Sequence, residues 1–431
     1  MKTLGLVLLT LWAGASMAQG QFRGDAAHSG VFAGAAPQRT PQVKWTFPTG
    51  DRIVSSPVLH GGTLFFGSDD GHLYAVDVAT GRERWRFRTG GPVAATPAVD
   101  GGRVFVGSYD GKFYALDAAS GALVWKFASE GEKRFEARGL HGFLPRRQTY
   151  ADPFDVYLSS PVVADGAVFF GSGDGHVYAL SAADGQRRWT FDAGEVVHAS
   201  PAVVDGVVYV GSWNSRFFAL DARSGSERWR FQAGTDDLIH NQVGFQSSPA
   251  VVDGTVYVGC RDANLYALDA ATGREKWRYP TNGSWVVTSP AVSAGRVVFA
   301  TSDSSLVTAL DAATGQQLWQ QSTRAYVFAS PAVAGDVVLT GVLNGILEAR
   351  SLSSGALLWE FRTETSRANE GWALDASGRF NGGLMFPSPW RESALGVVER
   401  QSRAGSFFSS PLVAAGTVYI GAADGRVYAI E

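Results

Sequence analysis

A Ser/Thr-Pro pair recurs along this 431-residue chain, and no other feature limits its fold as tightly. The prolines are Pro57, Pro97, Pro161, Pro201, Pro249, Pro290, Pro331 and Pro411, at intervals of 40, 64, 40, 48, 41, 41 and 80 residues. Four intervals share one period, and the longer three read as that period with insertions. Self-similarity at about 40 residues is the signature of a repeat architecture, in which each unit buries its apolar face only against its neighbours.

A second signal runs in phase with the first. Residues 75–85 read AVDVATGRERW, and copies follow at 115–125, 219–229, 267–277 and 309–319. Weaker copies at 179–189 and 349–359 carry Ser181 and Ser351 in place of the aspartate. Between anchor and motif the repeat from Pro249 resolves into SPAVV, TVYVGC, NLYALD and REKWRYP, whose alternation and Val/Tyr content predict four short strands. Asp253-Gly254, and pairs such as Asp70-Gly71, Asp110-Gly111 and Asp174-Gly175, suit two-residue hairpins. The Asp-Ala-Ala-Thr-Gly segment is a side-chain-capped turn with a glycine exit, so Asp77, Asp117, Asp221, Asp269 and Asp311 are turn residues. Four antiparallel strands per repeat make a propeller blade.

The two ends of the chain are complementary. The last repeat stops at Glu431 before its tryptophan strand, while Val43-Lys44-Trp45-Thr46-Phe47 precedes the first anchor. The N-terminal strand is therefore expected to complete the last blade, giving an all-β, eight-bladed propeller over 43–431. Residues 19–42 form a lead-in. Residues 1–18 read as an export signal: Lys2, an apolar run from Leu4 to Ala13, and Ser16-Met17-Ala18 as cleavage site. The run is too short to span a bilayer, and no cysteine near it offers a lipid attachment point. A periplasmic or secreted protein is expected. A net charge of −3 without a basic run disfavours nucleic acid. Cys260, the only cysteine, leaves stability to packing and reads as a buried strand residue.

The repeated Ala-x-Asp-x-x-Thr-Gly-x-x-x-Trp motif resembles the tryptophan-docking motif of the pyrroloquinoline quinone (PQQ) enzyme repeat family, whose members are quinoprotein alcohol dehydrogenase-like eight-bladed propellers. The resemblance runs from Trp45 to Glu431, and residues 22–30 (FRGDAAHSG) look like the lead-in of exported members. It implies that Trp45, Trp85, Trp125, Trp189, Trp229, Trp277, Trp319 and Trp359 each dock into the next blade. Two functions occur in such propellers. One is dehydrogenation of an alcohol or sugar with PQQ and calcium. The other is a non-catalytic binding or scaffold role, similar to the propeller subunit of the outer-membrane β-barrel assembly machinery. This chain lacks the adjacent-cysteine disulfide of the dehydrogenases, and no local motif matches their calcium ligands. It also lacks the lipoprotein's anchoring cysteine. The expectation is a scaffold module of the cell envelope that binds protein partners, with the quinoprotein as the alternative.

All three insertions fall in links between the outer strand of one blade and the inner strand of the next, near 128–155, 232–244 and 363–405. They therefore rise on one face. Tyr157, His198, Phe245, Gln246, Trp285, Phe328 and Phe408, just before the anchors, are expected at the channel rim, with His141, His240, Trp372 and Trp390 from the loops. Aromatic walls with a few polar groups suit a planar ligand or a peptide, and the same residues also serve to pack loops down. His141, His198 and His240 are weighed as a metal site. Glu130, Glu132, Glu136, Asp152, Asp155, Glu370 and Asp375 are weighed as calcium ligands or as loop-solvating charges. No nucleophile elbow, phosphate loop or metalloprotease helix occurs.

Overall fold

The computed structural model describes residues 20–234, 244–385 and 396–431. Residues 1–18, expected to be an export signal, and His240 and Trp390 lie outside the described residues.

Eight four-stranded antiparallel sheets follow one another around a central channel. The fifth blade, Ala250–Val252, Thr255–Cys260, Asn264–Asp269 and Glu275–Pro280, shows how the repeat folds. Its first turn needs two residues at positive φ, and Asp253 and Gly254 supply them at 48° and 67°. In its third turn Oδ1 of Asp269 accepts from the backbone and hydroxyl of Thr272, and Gly273 leaves the turn at φ 71°.

That glycine also receives the neighbouring blade. A Cβ on Gly273 would lie 2.5 Å from the Trp229 ring, whose indole N–H donates to the Ala270 carbonyl. The same pair of contacts recurs for Trp45, Trp85, Trp125, Trp189, Trp277 and Trp319 on the next blade's turn. Each indole removes roughly 150–250 Å² from water, so the docking dominates the inter-blade seams.

The ring closes by strand exchange between the chain ends. Val43–Pro48 pairs antiparallel with Arg426–Ile430, placing Trp45 opposite Ala429. Gln42 and Glu431 exchange both backbone hydrogen bonds beyond it.

A second ring closes inside the first. The backbone N–H of Ser56 donates to the Thr96 hydroxyl, and Thr96 in turn to Ser160. The relay continues through Ser200, Ser248, Ser289, Ser330 and Ser410 back to Ser56, with donor–acceptor distances of 2.8–3.0 Å. This explains the hydroxyl residue before each anchoring proline: its side chain satisfies an inner-strand amide of the preceding blade, which a buried backbone requires.

The lead-in runs around the channel beside this ring, along the inner strands of successive blades. Carbonyls of Gly20, Ala26, Ala27, Ser29 and Gly30 accept N–H groups of Val99, Val203, Val251, Val292 and Val333, and the Gln21 amide binds Val163 through both its groups. Val31–Phe32 then runs parallel to Ala332–Ala334. The open edges of six inner strands are thereby paired, which an exposed edge otherwise leaves to chance partners. Arg23, buried at φ 62°, donates to the carbonyls of Pro331 and Pro290 at 2.6 and 3.1 Å.

The insertions carry their own structure. Glu136–Arg138 and Thr149–Ala151 form a hairpin, and the longest insertion holds short helices Glu364–Ala368, Gly382–Met385 and Val397–Arg403. No helix among the described residues is long and apolar enough to cross a membrane.

Candidate functional site at the channel mouth

The links before the anchors alternate between two environments. The residue three before each proline faces the channel, where Val54, Ala94, His198, Gln246, Val287 and Phe328 line a cavity of about 40 Å³ above the serine ring. In six links the residue before it (Ile53, Val93, Val197, Phe245, Val286 and Phe407) turns away to cover the glycine that ends the second strand, and Tyr157 is an exception. Phe245 belongs to this second set: a Cβ on Gly211 would lie 2.3 Å from its Cβ, and its ring meets Phe217 edge-on. Its expected place at the rim is corrected to the seam between the fourth and fifth blades. Tyr157 does face the cavity and donates to the Phe408 carbonyl at 3.0 Å, while the Phe408 ring meets Phe328 edge-on at 6.1 Å.

The insertion at 128–155 is folded down onto this mouth by buried charges. His198 is fully buried between two carboxylates, Nδ1 2.7 Å from Asp155 and Nε2 2.9 Å from Glu132. Burial opposes the imidazolium, but the two carboxylates outweigh it and raise the His198 pKa to about 10. Asp155 also accepts the Phe135 N–H, and Glu132 the Gly173 N–H.

A second buried pair lies beside the first. Asp152 places Oδ2 2.6 Å from Nη1 of Arg261 and Oδ1 3.2 Å from Nε2 of His141. Burial disfavours its charge, yet Arg261 and His141 hold its carboxyl well below the ordinary carboxylate range. The Arg261 guanidinium lies 3.6 Å from the Trp285 ring centroid and 4.7 Å from that of Trp213, which itself stacks on Phe135 at 4.7 Å. Phe154 fills the space between Trp285 and Phe328.

These positions divide the expected site residues. His141 and His198 are engaged by different carboxylates, and no group of three His, Cys, Asp or Glu able to hold a metal occurs among the described residues. Glu132, Asp152 and Asp155 are paired clamps, not solvated loop charges, whereas Glu130, Glu136, Glu370 and Asp375 are exposed and separate from them. Trp372 is exposed on the longest insertion. Cys260 is buried with its thiol pKa pushed up by burial, which suppresses thiolate chemistry.

Arg261 and Trp213 escaped the sequence reading. Their signal is the variable residue in the second turn, where Asp69, Tyr109 and Gly173 precede Asp or Asn in sister blades. That residue points at the mouth, so the repeat's least regular position carries its chemistry.

The quinone cofactor of the dehydrogenases does not fit this arrangement. A tricyclic, drug-sized ligand needs a pocket of roughly 300 Å³ or more, against the 40 Å³ left between the serine ring and the link residues. Trp285, the aromatic face in the mouth, is covered by Arg261.

Comparison with known proteins gives one family and a set of folds. The family model described as outer membrane protein assembly factor BamB matches residues 33–142, 147–244 and 219–431. The crystal structure of BamB from Moraxella catarrhalis superposes with TM-score 0.67 at 17% identity, covering 91% of this chain and all of that one. A europium-containing methanol dehydrogenase gives 0.69 at 14%, covering 95% and 98%. Quinohemoprotein alcohol dehydrogenase from Comamonas testosteroni gives 0.68 at 14%, covering 95% and 80%. At such identities these likenesses concern the fold alone. No curated protein matched the sequence.

Proposed function

From the premise that this chain belongs to the BamB-like family of PQQ-repeat propellers, we propose that it is a non-catalytic binding module of the cell envelope, holding a protein partner on the face that carries the insertions. The observation that carries this reading is how the mouth is filled. Buried ion pairs pin the 128–155 insertion over the channel, and the lead-in runs along the inner strands below. What remains over the channel is a raised platform and not a funnel, with a cavity of about 40 Å³ beneath it.

The platform also offers anchors. Leu144 is 66% exposed at the end of the first insertion and Trp372 46% on the third, both in links of the same face. Large apolar side chains held out on rigid supports are the usual centres of protein interfaces. The name of the family, an outer-membrane assembly factor, agrees with such a role, and residues 1–18, read as an export signal, would bring the protein to the envelope.

Photo-crosslinking residues placed at Leu144 and Trp372 in the native host test the reading. Discrete adducts from these positions, and none from Asp205 in a first-hairpin turn of the opposite face, are expected. Equal labelling from both faces, or none from either, would sink the proposal.

A further inference from the structure

The buried pair at Asp152 leaves an imbalance that the platform does not explain. Arg261 is wholly buried, yet only Nη1 is engaged by a carboxylate; Nε and Nη2 have no partner among the described residues. Those two nitrogens form one edge of the guanidinium, the planar fork that matches a carboxylate through two parallel hydrogen bonds. Around it the indole N–H groups of Trp213 and Trp285 are also buried without acceptors among the described residues. Both indoles belong to the rings flanking the guanidinium. These buried donors are left unmet, and each carries a desolvation penalty.

We propose that Arg261 anchors an enclosed carboxylate-binding site, in which the ligand's carboxylate takes the Nε/Nη2 fork between the two tryptophans. The charge balance selects a monoanion. Asp152 already neutralises much of the guanidinium, and Glu132 with Asp155 leaves the His198 cluster net negative, so a second full charge on the ligand would be repelled. Asp152 is a positioning residue here: it fixes the guanidinium so that its free edge is presented, as a second partner orients a metal ligand or a catalytic imidazole.

This chemistry has two sources, a free small carboxylate or the C-terminus of a polypeptide. Isothermal titration of the mature protein with acetate, benzoate, a short peptide acid and the same peptide as its amide separates them. Samples are equilibrated at length, because the site is sealed under the 128–155 hairpin. Saturable 1:1 binding of at least one acid is expected, with none of the amide. Binding of benzoate without the peptide acid assigns a small metabolite-like carboxylate, and the reverse assigns a chain terminus.

Arg261→Lys keeps the charge and removes the fork, and is expected to weaken binding about tenfold or more. Should that variant fail to fold, Trp285→Phe removes one indole donor at small volume cost and is expected to weaken the acid several-fold. In the unaltered protein, the ¹⁵N-edited Arg261 Nε–H resonance is expected to shift on saturation. The proposal falls if no acid binds, if acid and amide bind alike, or if Arg261→Lys and Trp285→Phe titrate like the wild type. None of these outcomes bears on crosslinking from Leu144 and Trp372, so the two readings fail separately.

Discussion

The indole N–H of Trp359 donates to the backbone carbonyl of Pro37, 2.7 Å away and 322 residues earlier in the chain. Seven blades dock their tryptophan on the next blade's Asp-x-x-Thr-Gly-type turn, but the eighth blade has no such turn because its outer strand comes from the N-terminus. The lead-in supplies the missing acceptor at that seam. Trp359→Ala is therefore expected to cost about 3–5 kcal/mol, as for other large buried aromatics. Trp359→Phe, which keeps a ring and loses the N–H, should cost distinctly less. Urea denaturation of both variants checks this, and equal losses would mean that the Pro37 hydrogen bond, and not burial of the ring, carries this seam.

Gly273 and Gly254 share a backbone conformation and differ in what surrounds them. At Gly254 (φ 67°) an added Cβ meets nothing within 4 Å, whereas at Gly273 (φ 71°) it would lie 2.5 Å from the Trp229 ring. Gly254→Ala should cost about 1–2 kcal/mol, the left-handed backbone penalty alone. Gly273→Ala should add about 1–3 kcal/mol by overpacking the docking site. Equal melting temperatures for the two variants would show that the motif glycine serves its turn and not the indole.

What recurs was legible in the sequence, and what occurs once was not. Eight anchors and seven tryptophan motifs state the strand pattern several times over, so an error in one copy is corrected by the others. Complementary half-repeats at the ends carried the closure as far as pairing Val43–Pro48 with the last strand. The course of Gly20–Gly30 along the inner strands had no such support, because backbone carbonyls do most of the pairing there and leave no side-chain pattern. The mouth failed for a related reason. Phe245 and Gln246 are adjacent, and a one-residue difference in phase decides which faces the channel and which the blade seam, as it does in any extended segment. The carboxylates of the first insertion looked like ordinary loop charges because their partners, His198 and Arg261, lie on other blades.

His198 gives the protein an alkaline sensitivity. Its pKa is about 10 in the folded state, with burial opposed and outweighed by Asp155 and Glu132, against about 6.5 when unfolded. A raised pKa means that the folded state holds the proton more tightly. The resulting stabilisation is complete below about pH 6.5 and is lost as pH rises toward 10. The melting temperature of the wild type should fall between pH 7 and pH 10 relative to that of His198→Gln. The 128–155 insertion should also become more open to proteolysis over the same interval. Parallel curves for the two proteins would show that His198 is not held as the imidazolium.

His28 works in the opposite sense at the other end of the channel. It is fully buried in the lead-in, edge-on to Phe22 at 5.3 Å, and its pKa is pushed down to about 3 by burial first and the nearby Arg23 charge second. The folded state therefore keeps this ring neutral while the unfolded chain protonates it near pH 6.5. Its contribution is present above that pH and is lost as pH falls toward 3, at a slope approaching about 1.4 kcal/mol per pH unit. His28→Gln, which cannot take up the proton, should melt less acid-sensitively than the wild type between pH 6.5 and pH 4.5. Because Gly20–Gly30 pairs the inner strands of six blades, hydrogen exchange at Val203, Val251 and Val292 should rise over that interval in the wild type and not in the variant. Exchange that rises equally in both would place the acid weakness elsewhere, among the paired carboxylates of the mouth.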